Sequence, residues 1–354
     1  MKRLVGLLIV LVVATIAPAT ALPTEVAAQT DEPTCAMPFT ATDGTGTEVT
    51  IEAAPERVVA LQPSAAQTMW EIGSQEKVVG MPVGSTTSYL EGSDSKTDIT
   101  GSDGYSTSVE KVVAQEPDLV LAPSAVPNET VSKLRSAGLT VYKFGFAASI
   151  DDVVSKTLRT GQLVGNCSGA ADRVDAMNET VESIETAVSD TEQPRVLFMM
   201  SGGYTPGKGT FIHQLITTAG GTNVAADANI TGYQQINPET VVAEDPEWIV
   251  TQSHMESVPN GTELSATTAM KEEQIVTVDS NFVSQPAPRV VQPLSTMANA
   301  FHPDAVESST GTESGADSQT PATETTETNG PGFGVVATVL AVLALLGGLF
   351  TRAN

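Results

Sequence analysis

Basic residues are scarce in this chain. Its 354 residues include 17 Lys and Arg against 42 Asp and Glu, which gives a net charge of −25. Because phosphate neutralisation needs a basic face, this composition excludes a general nucleic-acid-binding protein. The acidic excess is spread along the whole chain, and a surface of this kind favours either ordinary solubility or function in high salt, where charge repulsion is screened. We expect a salt-loving microbe as the source.

Histidine is also rare, and the sequence lacks the common catalytic motifs. His213, His254 and His302 lie far apart, so no clustered metal site is expected. The stretch from Gly202 to Gly209 nearly matches a phosphate-binding loop, but Gly209 stands where the motif needs Ser or Thr, and we interpret it as a flexible ligand-facing loop. No Gly-x-Ser-x-Gly elbow is present. We therefore expect a protein that is not an enzyme and has no cofactor.

Only two cysteines are present, Cys35 and Cys167. In an extracellular protein two such thiols can pair, and the bond would tie the N-terminal segment to the middle of the chain. The alternative is two free thiols. We predict the disulfide.

Long apolar runs occur only at the two ends. Residues 1–29 have a basic start, a short apolar core closed by Pro18 and a small-residue exit, which predicts a secretory signal peptide rather than a membrane helix. At the other end, a run from Gly334 to Phe350 is barely long enough to span a bilayer and precedes Arg352. Residues 305–330 are rich in Thr, Ser and Glu, which predicts a disordered stalk. Asn-x-Ser/Thr sequons, which are candidate glycosylation sites, begin at Asn128, Asn166, Asn178, Asn229 and Asn260.

One pattern occurs twice in the body of the chain. The stretch VEKVVAQEPDLVL runs from Val109 to Leu121, and PETVVAEDPEWIV runs from Pro238 to Val250. Both copies carry a Glu at the second position, Glu110 and Glu239. A helical segment before Pro, followed by a β-prone apolar run, predicts a helix and a buried strand in each copy.

The repeat lies within a longer alternation of strands and helices, which starts near Arg57 and restarts at Arg195. Such alternation is typical of parallel sheets covered by helices. We predict an α/β fold with two Rossmann-like lobes, joined by a single long rigid helix, and a ligand cleft between them. The predicted segments are 1–29 (signal peptide), 30–56 (N-terminal segment), 57–148 (N-terminal lobe), 149–190 (linking helix), 191–304 (C-terminal lobe), 305–330 (stalk) and 331–354 (C-terminal signal).

The linking segment is helical in pattern over Asp152 to Leu163 and over Gly169 to Ser189, and the second stretch has one apolar stripe. Five apolar residues recur at steps of three and four over roughly 30 Å of helix; they are Val174, Met177, Val181, Ile184 and Val188. Since a rigid helical connection resists large closure, we expect the lobes to move little on binding.

Taken together, the chain resembles the helical-backbone class of substrate-binding proteins of ABC importers, which capture cobalamin, haem or ferric siderophores. The stretches that carry this resemblance are RVVALQPSAAQTMWEIG, SVEKVVAQEPDLVLA, GTFIHQLITTAGGTN and APRVV, between Arg57 and Pro303. The cobalamin-binding members are most similar. The resemblance implies as partners a permease and its ATPase, with Glu110 and Glu239 meeting permease arginines. A plainer alternative is that each Glu only favours a helix N-terminus, worth about 0.3–1 kcal/mol; both can hold.

The C-terminal end is similar to the PGF-type sorting signals of archaeal surface proteins. Pro331-Gly332-Phe333 precedes the apolar run and Arg352 in the order that such signals have. The resemblance implies a transpeptidase that removes the tail and an anchor at the outer face of the cell membrane, through a lipid or through the apolar helix itself.

Ligands of open α/β folds bind beyond the carboxyl ends of the strands, and that rule selects the candidate contacts. Four of the five tyrosines fall on or beside these loops, and aromatic faces suit a large planar ligand. In cobalamin-binding relatives aromatic residues line the cleft, and Tyr233 lies at one such position. The predicted ligand-binding residues are Ser64, Tyr89, Tyr105, Tyr204, Lys208, Tyr233, Phe282 and Arg289.

The scarcity of cleft cations favours one cargo over another. Only Lys208 and Arg289 lie on these loops, whereas a highly anionic chelate would need a denser positive cluster. We therefore expect a corrinoid as the cargo. We also expect the binding protein to be a monomer. The alternatives are a ferric siderophore or haem as cargo, or, from another class, a surface protein that binds a partner protein and has no role in transport.

Overall fold

The computed structural model describes residues 35–255 and 264–311. The predicted signal peptide, the C-terminal signal, Asn260 and most of the stalk lie outside these ranges. Within them, no helix combines the length and the apolarity that a membrane span requires.

A five-stranded parallel sheet forms the core of the N-terminal lobe, in the order β5-β4-β3-β6-β7. The central strands are buried on both faces, which explains their continuous apolar sequence. The strands are β3 (Val58–Ala60), β4 (Val78–Met81), β5 (Thr97–Asp98), β6 (Leu119–Ala122) and β7 (Val141–Lys143). The helices are α1 (Pro63–Glu71), α2 (Val109–Val113) and α3 (Asn128–Ser136).

An antiparallel hairpin precedes this sheet, built from β1 (Phe39–Thr42) and β2 (Glu48–Ile51). Its inward-facing residues Val49 and Ile51 are buried in the core of the N-terminal lobe. The hairpin was not predicted from the sequence. The predicted disulfide is confirmed, because Cys35 and Cys167 are bonded.

A four-stranded parallel sheet, β10-β8-β12-β13, forms the core of the C-terminal lobe. Its strands are β8 (Arg195–Phe198), β10 (Thr222–Asn223), β12 (Trp248–Gln252) and β13 (Ile275–Val278), and a separate antiparallel pair is formed by β9 (Tyr204–Pro206) and β11 (Tyr233–Gln235). The helices are α6 (Phe211–Thr218), α7 (Val224–Asp227), α8 (Pro238–Glu244), α9 (Thr268–Lys271), α10 (Ser280–Val283), α11 (Val291–Phe301) and α12 (Pro303–Gly311).

Two helices, and not the single helix predicted, connect the lobes. They are α4 (Ile150–Val164) and α5 (Cys167–Val188). Gly165 ends α4 in the left-handed conformation (φ 73°), and the Asn166 side chain accepts a hydrogen bond from Gly169 N at the start of α5. The prediction of one helix is therefore corrected: a glycine C-cap followed by an Asn N-cap breaks the segment.

The two connecting helices both reach into both cores. Val153 near the start of α4 belongs to the core of the C-terminal lobe, whereas Leu163 at its end belongs to that of the N-terminal lobe. On α5 the order is reversed, from Ala170 in the N-terminal core to Ile184 in the C-terminal core. The chain therefore runs between the lobes in both directions, and two helices hold the lobes together instead of one.

Helix α12 begins earlier than the predicted stalk and continues to Gly311. It contacts α5 and α11. The stretch from 305 to 311 is therefore helical, in contrast to the disordered stalk predicted from its composition, because packing against two helices outweighs its weak apolar pattern.

Candidate ligand-binding cleft

A small cavity of about 120 Å³ lies between the lobes. On one side it is lined by the loops that follow β3, β6 and β7, and on the other by residues 284–286. These loops leave the carboxyl ends of parallel strands, where ligands of such folds bind. We call this cavity the cleft floor. Ser64, a predicted ligand residue, is 7% exposed and lies in its wall.

Four exposed aromatic residues follow the carboxyl ends of strands in the two lobes. The exposed fractions are 89% for Tyr105, 65% for Phe146, 45% for Tyr204 and 42% for Tyr233. Three of them are residues that the sequence predicted as ligand contacts. Phe146 was missed, although it stands in the stretch Phe144–Ser149 between the last strand of one lobe and α4. An apolar side chain exposed at this edge is the kind of surface that a large planar ligand covers.

Tyr204 and Tyr233 lie on the same face of the β9–β11 pair. Tyr204 is opposite Gln235, and Tyr233 is opposite Pro206, so the two tyrosines are diagonal neighbours within reach of each other's rings. Partial burial raises the pKa of the Tyr233 phenol, which keeps it neutral. The stretch from Gly202 to Gly209, predicted as a flexible loop, thus contains the strand β9, and Gly202 and Gly203 take positive φ values of 72° and 75° just before it.

Tyr89, Phe282 and Arg289 lie together, but they contact each other across the lobes. The rings of Tyr89 and Phe282 meet edge to face, with centroids 5.1 Å apart. The guanidinium of Arg289 lies 5.1 Å from the Tyr89 centroid and 5.5 Å from that of Phe282. The structure therefore gives these three predicted ligand residues a role in joining the lobes.

A hydrogen-bonded network extends this contact. Tyr89 accepts from Gln67 Nε2 (2.8 Å) and donates to Gln285 Oε1 (2.9 Å), while Gln285 Nε2 donates to the Thr86 carbonyl (3.1 Å). Gln67 and Gln285 are buried, and burial raises the pKa of the Tyr89 phenol. The phenol is thus held as a neutral donor between two amides of opposite lobes.

The free cationic charge near the cleft is smaller than the sequence indicates. Arg289 Nε donates to the Glu71 carboxylate at 2.7 Å, so its charge is already paired. Lys208 is exposed, and its backbone forms a bridge with Thr231. Lys156 also lines the cleft floor. It was not among the predicted ligand residues, because it lies on α4 and not on a loop.

A second cluster that the sequence did not predict lies at the carboxyl edge of the C-terminal sheet. His254 Nδ1 is 2.7 Å from Ser280 Oγ, and His254 Nε2 is 3.2 Å from Ser201 Oγ. These residues follow β12, β13 and β8. The cluster was not predictable from the sequence, because the three residues follow different strands and lie far apart in the chain. His213 lies outside this cluster, and burial is the main cause that lowers its pKa. His302 is hydrogen-bonded to the Gly220 carbonyl. Across residues 35–255 and 264–311, no group of three or more potential metal ligands is present.

Comparison with known proteins identifies the fold. The description "Periplasmic binding protein" belongs to a family profile that matches residues 58–282, which is more than half of the chain. The chain belongs to the periplasmic binding protein family. The cobalamin-binding protein of Halobacterium salinarum (strain ATCC 29341 / DSM 671 / R1) is 44% identical over 279 residues, which cover 76% of this chain and 75% of that protein.

Solved structures of periplasmic binding proteins match nearly three quarters of the chain. The periplasmic heme-binding protein RhuT from Roseiflexus sp. RS-1 matches with a TM-score of 0.62 at 26% identity, covering 71% of this chain and 99% of that one. The periplasmic vitamin B12 binding protein of Vibrio cholerae matches with a TM-score of 0.60 at 20% identity, covering 73% and 99%. The predicted α/β fold class is thereby confirmed.

Within this periplasmic binding protein, Glu110 and Glu239 occupy equivalent positions. Each stands in the first turn of a short helix, α2 or α8, that leads into the strand next to one edge of its sheet. Each side chain is exposed and forms no hydrogen bond or ion pair within the described part of the chain. Helices that precede parallel strands begin at the carboxyl edge of the sheet, so both carboxylates lie at the edge that carries the cleft.

The sequons differ in whether a glycan could be attached. Asn128, Asn178 and Asn229 are exposed. Asn166 is different, because its Nδ2 donates to the Ile72 carbonyl (2.6 Å) and to Ser74 Oγ (3.0 Å). A glycan on this nitrogen would replace one of the two hydrogens that it donates, so the structure argues against Asn166 as a site.

Proposed function

We propose that the protein is the extracellular substrate-binding component of an ABC importer and that it captures a corrinoid. The observation that carries this proposal is the 44% identity to a cobalamin-binding protein over 76% of the chain. The aligned part covers about three quarters of each protein.

The geometry of the cleft supports a large and weakly charged planar cargo. Tyr105, Phe146, Tyr204 and Tyr233 offer exposed aromatic faces from both lobes. Such faces provide broad apolar contact, and the phenols add hydrogen-bonding tips. Because Arg289 is paired with Glu71, the loops do not offer a dense cationic cluster to a highly anionic chelate.

Delivery of the cargo requires contact with a permease, and Glu110 and Glu239 are our candidates for that contact. One exposed carboxylate on each lobe, at equivalent positions, matches a partner with twofold symmetry. Secretion by the leader 1–29 and anchoring through the C-terminal signal 331–354 complete the proposal, with a transpeptidase as the processing partner. We propose that the protein acts as a monomer.

Calorimetric titration tests the cargo. The body of the protein, residues 30–311, is titrated with cyanocobalamin in multimolar salt, and we expect saturable one-to-one binding. Absence of heat and of a thermal shift at saturating ligand would remove the corrinoid from the proposal. Bovine haemin and a ferric hydroxamate serve as competing cargoes in the same assay.

Haem is the second candidate cargo, because the solved haem-binding protein is 26% identical over 71% of this chain. Haem and corrinoids have different absorption bands, so the absorption spectrum of protein isolated from its native cells identifies the bound cargo. A haem Soret band in the isolated protein, together with tighter haemin than cobalamin binding, would favour haem.

A further inference from the structure

Lys156 is placed at the floor of the cleft by α4. Its neighbours in the cavity wall come from both lobes and include Ser64, Ser124, Phe144 and Gln285. The helix that carries Lys156 is fixed at both ends, since Val153 and Leu163 lie in the cores of opposite lobes. The ammonium therefore stands at a defined point between the lobes.

The hydrogen-bonding capacity of Lys156 is mostly unused. An ammonium group has three donors, and Lys156 Nζ makes a single hydrogen bond, to the Pro286 carbonyl at 2.7 Å. The ring of Phe144 lies 5.8 Å away. Among the described residues no carboxylate forms an ion pair with this lysine, whereas Lys111 and Lys133 each have one.

An ammonium group without an ion-pair partner in the wall of a cavity costs free energy. Burial lowers the pKa of Lys156 to about 8, so the side chain remains mainly charged at neutral pH. No acidic residue lines the cleft floor, within the part of the chain that the structure describes. An incoming anion would therefore meet an uncompensated cation and no competing carboxylate.

A neutral hydrogen-bond donor, the Ser64 hydroxyl, lines the same cavity as Lys156. The Ser64 hydroxyl is nearly buried and has no hydrogen-bond partner within the described ranges. Behind the wall, Lys143 Nζ donates to the carbonyls of Pro123 (3.1 Å) and Ser124 (2.9 Å). Because these carbonyls accept hydrogen bonds from a cation, their negative ends are partly compensated, and the loop presents less negative potential to the cavity.

The size of the cavity limits what can be bound there. A volume of about 120 Å³ holds a few waters at about 30 Å³ each. It is too small for a macrocycle and large enough for one carboxylate or phosphate group. The bulk of a cargo would rest above it, against the exposed aromatic residues.

We propose that Lys156 forms an oxyanion subsite in the cleft floor, which binds one phosphodiester or carboxylate group carried by the cargo. The inference rests on the proposed function, in that the cleft is taken to hold the cargo. For a corrinoid the oxyanion is the phosphodiester of the nucleotide loop, which cobalamin has and cobinamide lacks. For haem it is a propionate carboxylate.

Two corrinoids separate this role from a structural one. We expect Lys156→Met to weaken cyanocobalamin binding about 10- to 100-fold and to leave dicyanocobinamide binding unchanged. Lys156→Arg retains the charge and is expected to retain most of the preference for cobalamin. Lys133→Met removes an exposed lysine of α3 and is the matched control, with no effect on either ligand. Equal losses for both corrinoids, or no loss for cobalamin, would overturn the subsite.

A second measurement does not depend on the corrinoid. Inorganic phosphate replaces chloride at constant ionic strength, and thermal unfolding is compared between the wild type and Lys156→Met. We expect a larger phosphate-dependent rise in Tm for the wild type, and equal rises would count against the subsite. If neither corrinoid binds the wild type, the proposed cargo fails; haemin and its dimethyl ester then take the place of the corrinoid pair, and equal binding of these two overturns the subsite.

Discussion

Arg289 Nε of the C-terminal lobe donates a hydrogen bond of 2.7 Å to the carboxylate of Glu71 on α1 of the N-terminal lobe. The other carboxylate oxygen of Glu71 lies 2.8 Å from Arg173 Nε on α5. Arg173 Nη2 in turn donates to the Pro288 carbonyl at 2.8 Å. One carboxylate thus connects both lobes and a connecting helix.

This ion pair belongs to the same contact as the Tyr89–Phe282 ring pair and the Gln67–Tyr89–Gln285 network. Polar and aromatic contacts therefore add to the connecting helices in setting the separation of the lobes. The expectation that the lobes move little on binding remains a prediction, and this contact gives it a physical basis.

We expect Arg289→Met to destabilise the protein by about 2–4 kcal/mol. The guanidinium and the carboxylate have side-chain exposures of 25% and 14%, and removal of one partner leaves the other partly buried with a weaker network. Denaturant unfolding measures the change. The control is Lys133→Met, which removes an exposed i,i+4 pair with Glu129 and should cost less than about 1 kcal/mol. Equal effects of the two variants would show that the contact between the lobes does not stabilise the fold.

Tyr105→Ala and Phe146→Ala are each expected to weaken corrinoid binding about tenfold, because each removes an exposed ring at the cleft edge. Stability should change by less than about 0.5 kcal/mol, since neither side chain is buried. Ile275→Ala is the control, an exposed apolar residue at the start of β13 and therefore at the opposite edge of its sheet. Titration of the three variants gives the answer, and unchanged affinity for both aromatic variants would move the ligand away from this edge.

The duplicated sheets and their repeated helix–strand segments were predictable from the sequence, because buried parallel strands have continuous apolar runs. The break at Gly165 was accessible too, since Gly followed by Asn is typical of a helix end and a helix start. The hairpin β1–β2 was harder to predict from the sequence, because its strands are short and half exposed.

The contacts among the candidate site residues were not predictable from the sequence, for a physical reason. The rule that ligands bind at carboxyl ends selects loops, but it does not say which side chains on those loops contact each other. Arg289 is an example, since its partner Glu71 lies more than 200 positions away in the sequence. Lys156 is the opposite case, because it lies on a helix that loop-based selection does not include.

The double variant Glu110→Ala/Glu239→Ala should bind cobalamin normally and should lose most uptake, at least tenfold, in cells that depend on this importer. Both carboxylates are exposed and unpaired in the described structure, so their loss leaves the cleft intact and costs about 0.3–1 kcal/mol each at the helix N-termini. Glu179→Ala/Glu185→Ala on the exposed face of α5 removes the same charge elsewhere and should leave uptake normal. Loss of cobalamin binding in the first double variant would place Glu110 and Glu239 in the pocket.

Cys35→Ser/Cys167→Ser is expected to lower stability by about 2–5 kcal/mol, because the bond closes a loop of 132 residues. Corrinoid affinity should be unchanged, since the bond lies outside the cleft wall. Chemical unfolding with and without a reducing agent measures the effect. The reduced wild type should match the double variant; a further loss on reducing the variant itself would point to an effect unrelated to this bond.

Lys156→Met is expected to stabilise the free protein at pH 7 by about 3 kcal/mol. Burial lowers the pKa of Lys156 from 10.5 to about 8, so below pH 8 the folded state carries an unfavourable charge that the unfolded state does not bury. Between pH 8 and 10.5 the unfolded state binds more protons than the folded state, and the stability of the wild type rises relative to the variant.

The gain from the substitution should therefore shrink towards zero by about pH 10.5. Within the described residues no other titratable side chain lines the cleft floor. The tyrosines and the remaining lysines contribute equally to the pH dependence of both proteins, so their contributions cancel in the difference. Urea unfolding at pH 7, 8.5 and 10 follows the difference. If the difference in unfolding free energy between the variant and the wild type is constant over this range, Lys156 keeps an ordinary pKa. The ammonium in the cleft floor would then be well solvated, and an anion would gain little by pairing with it.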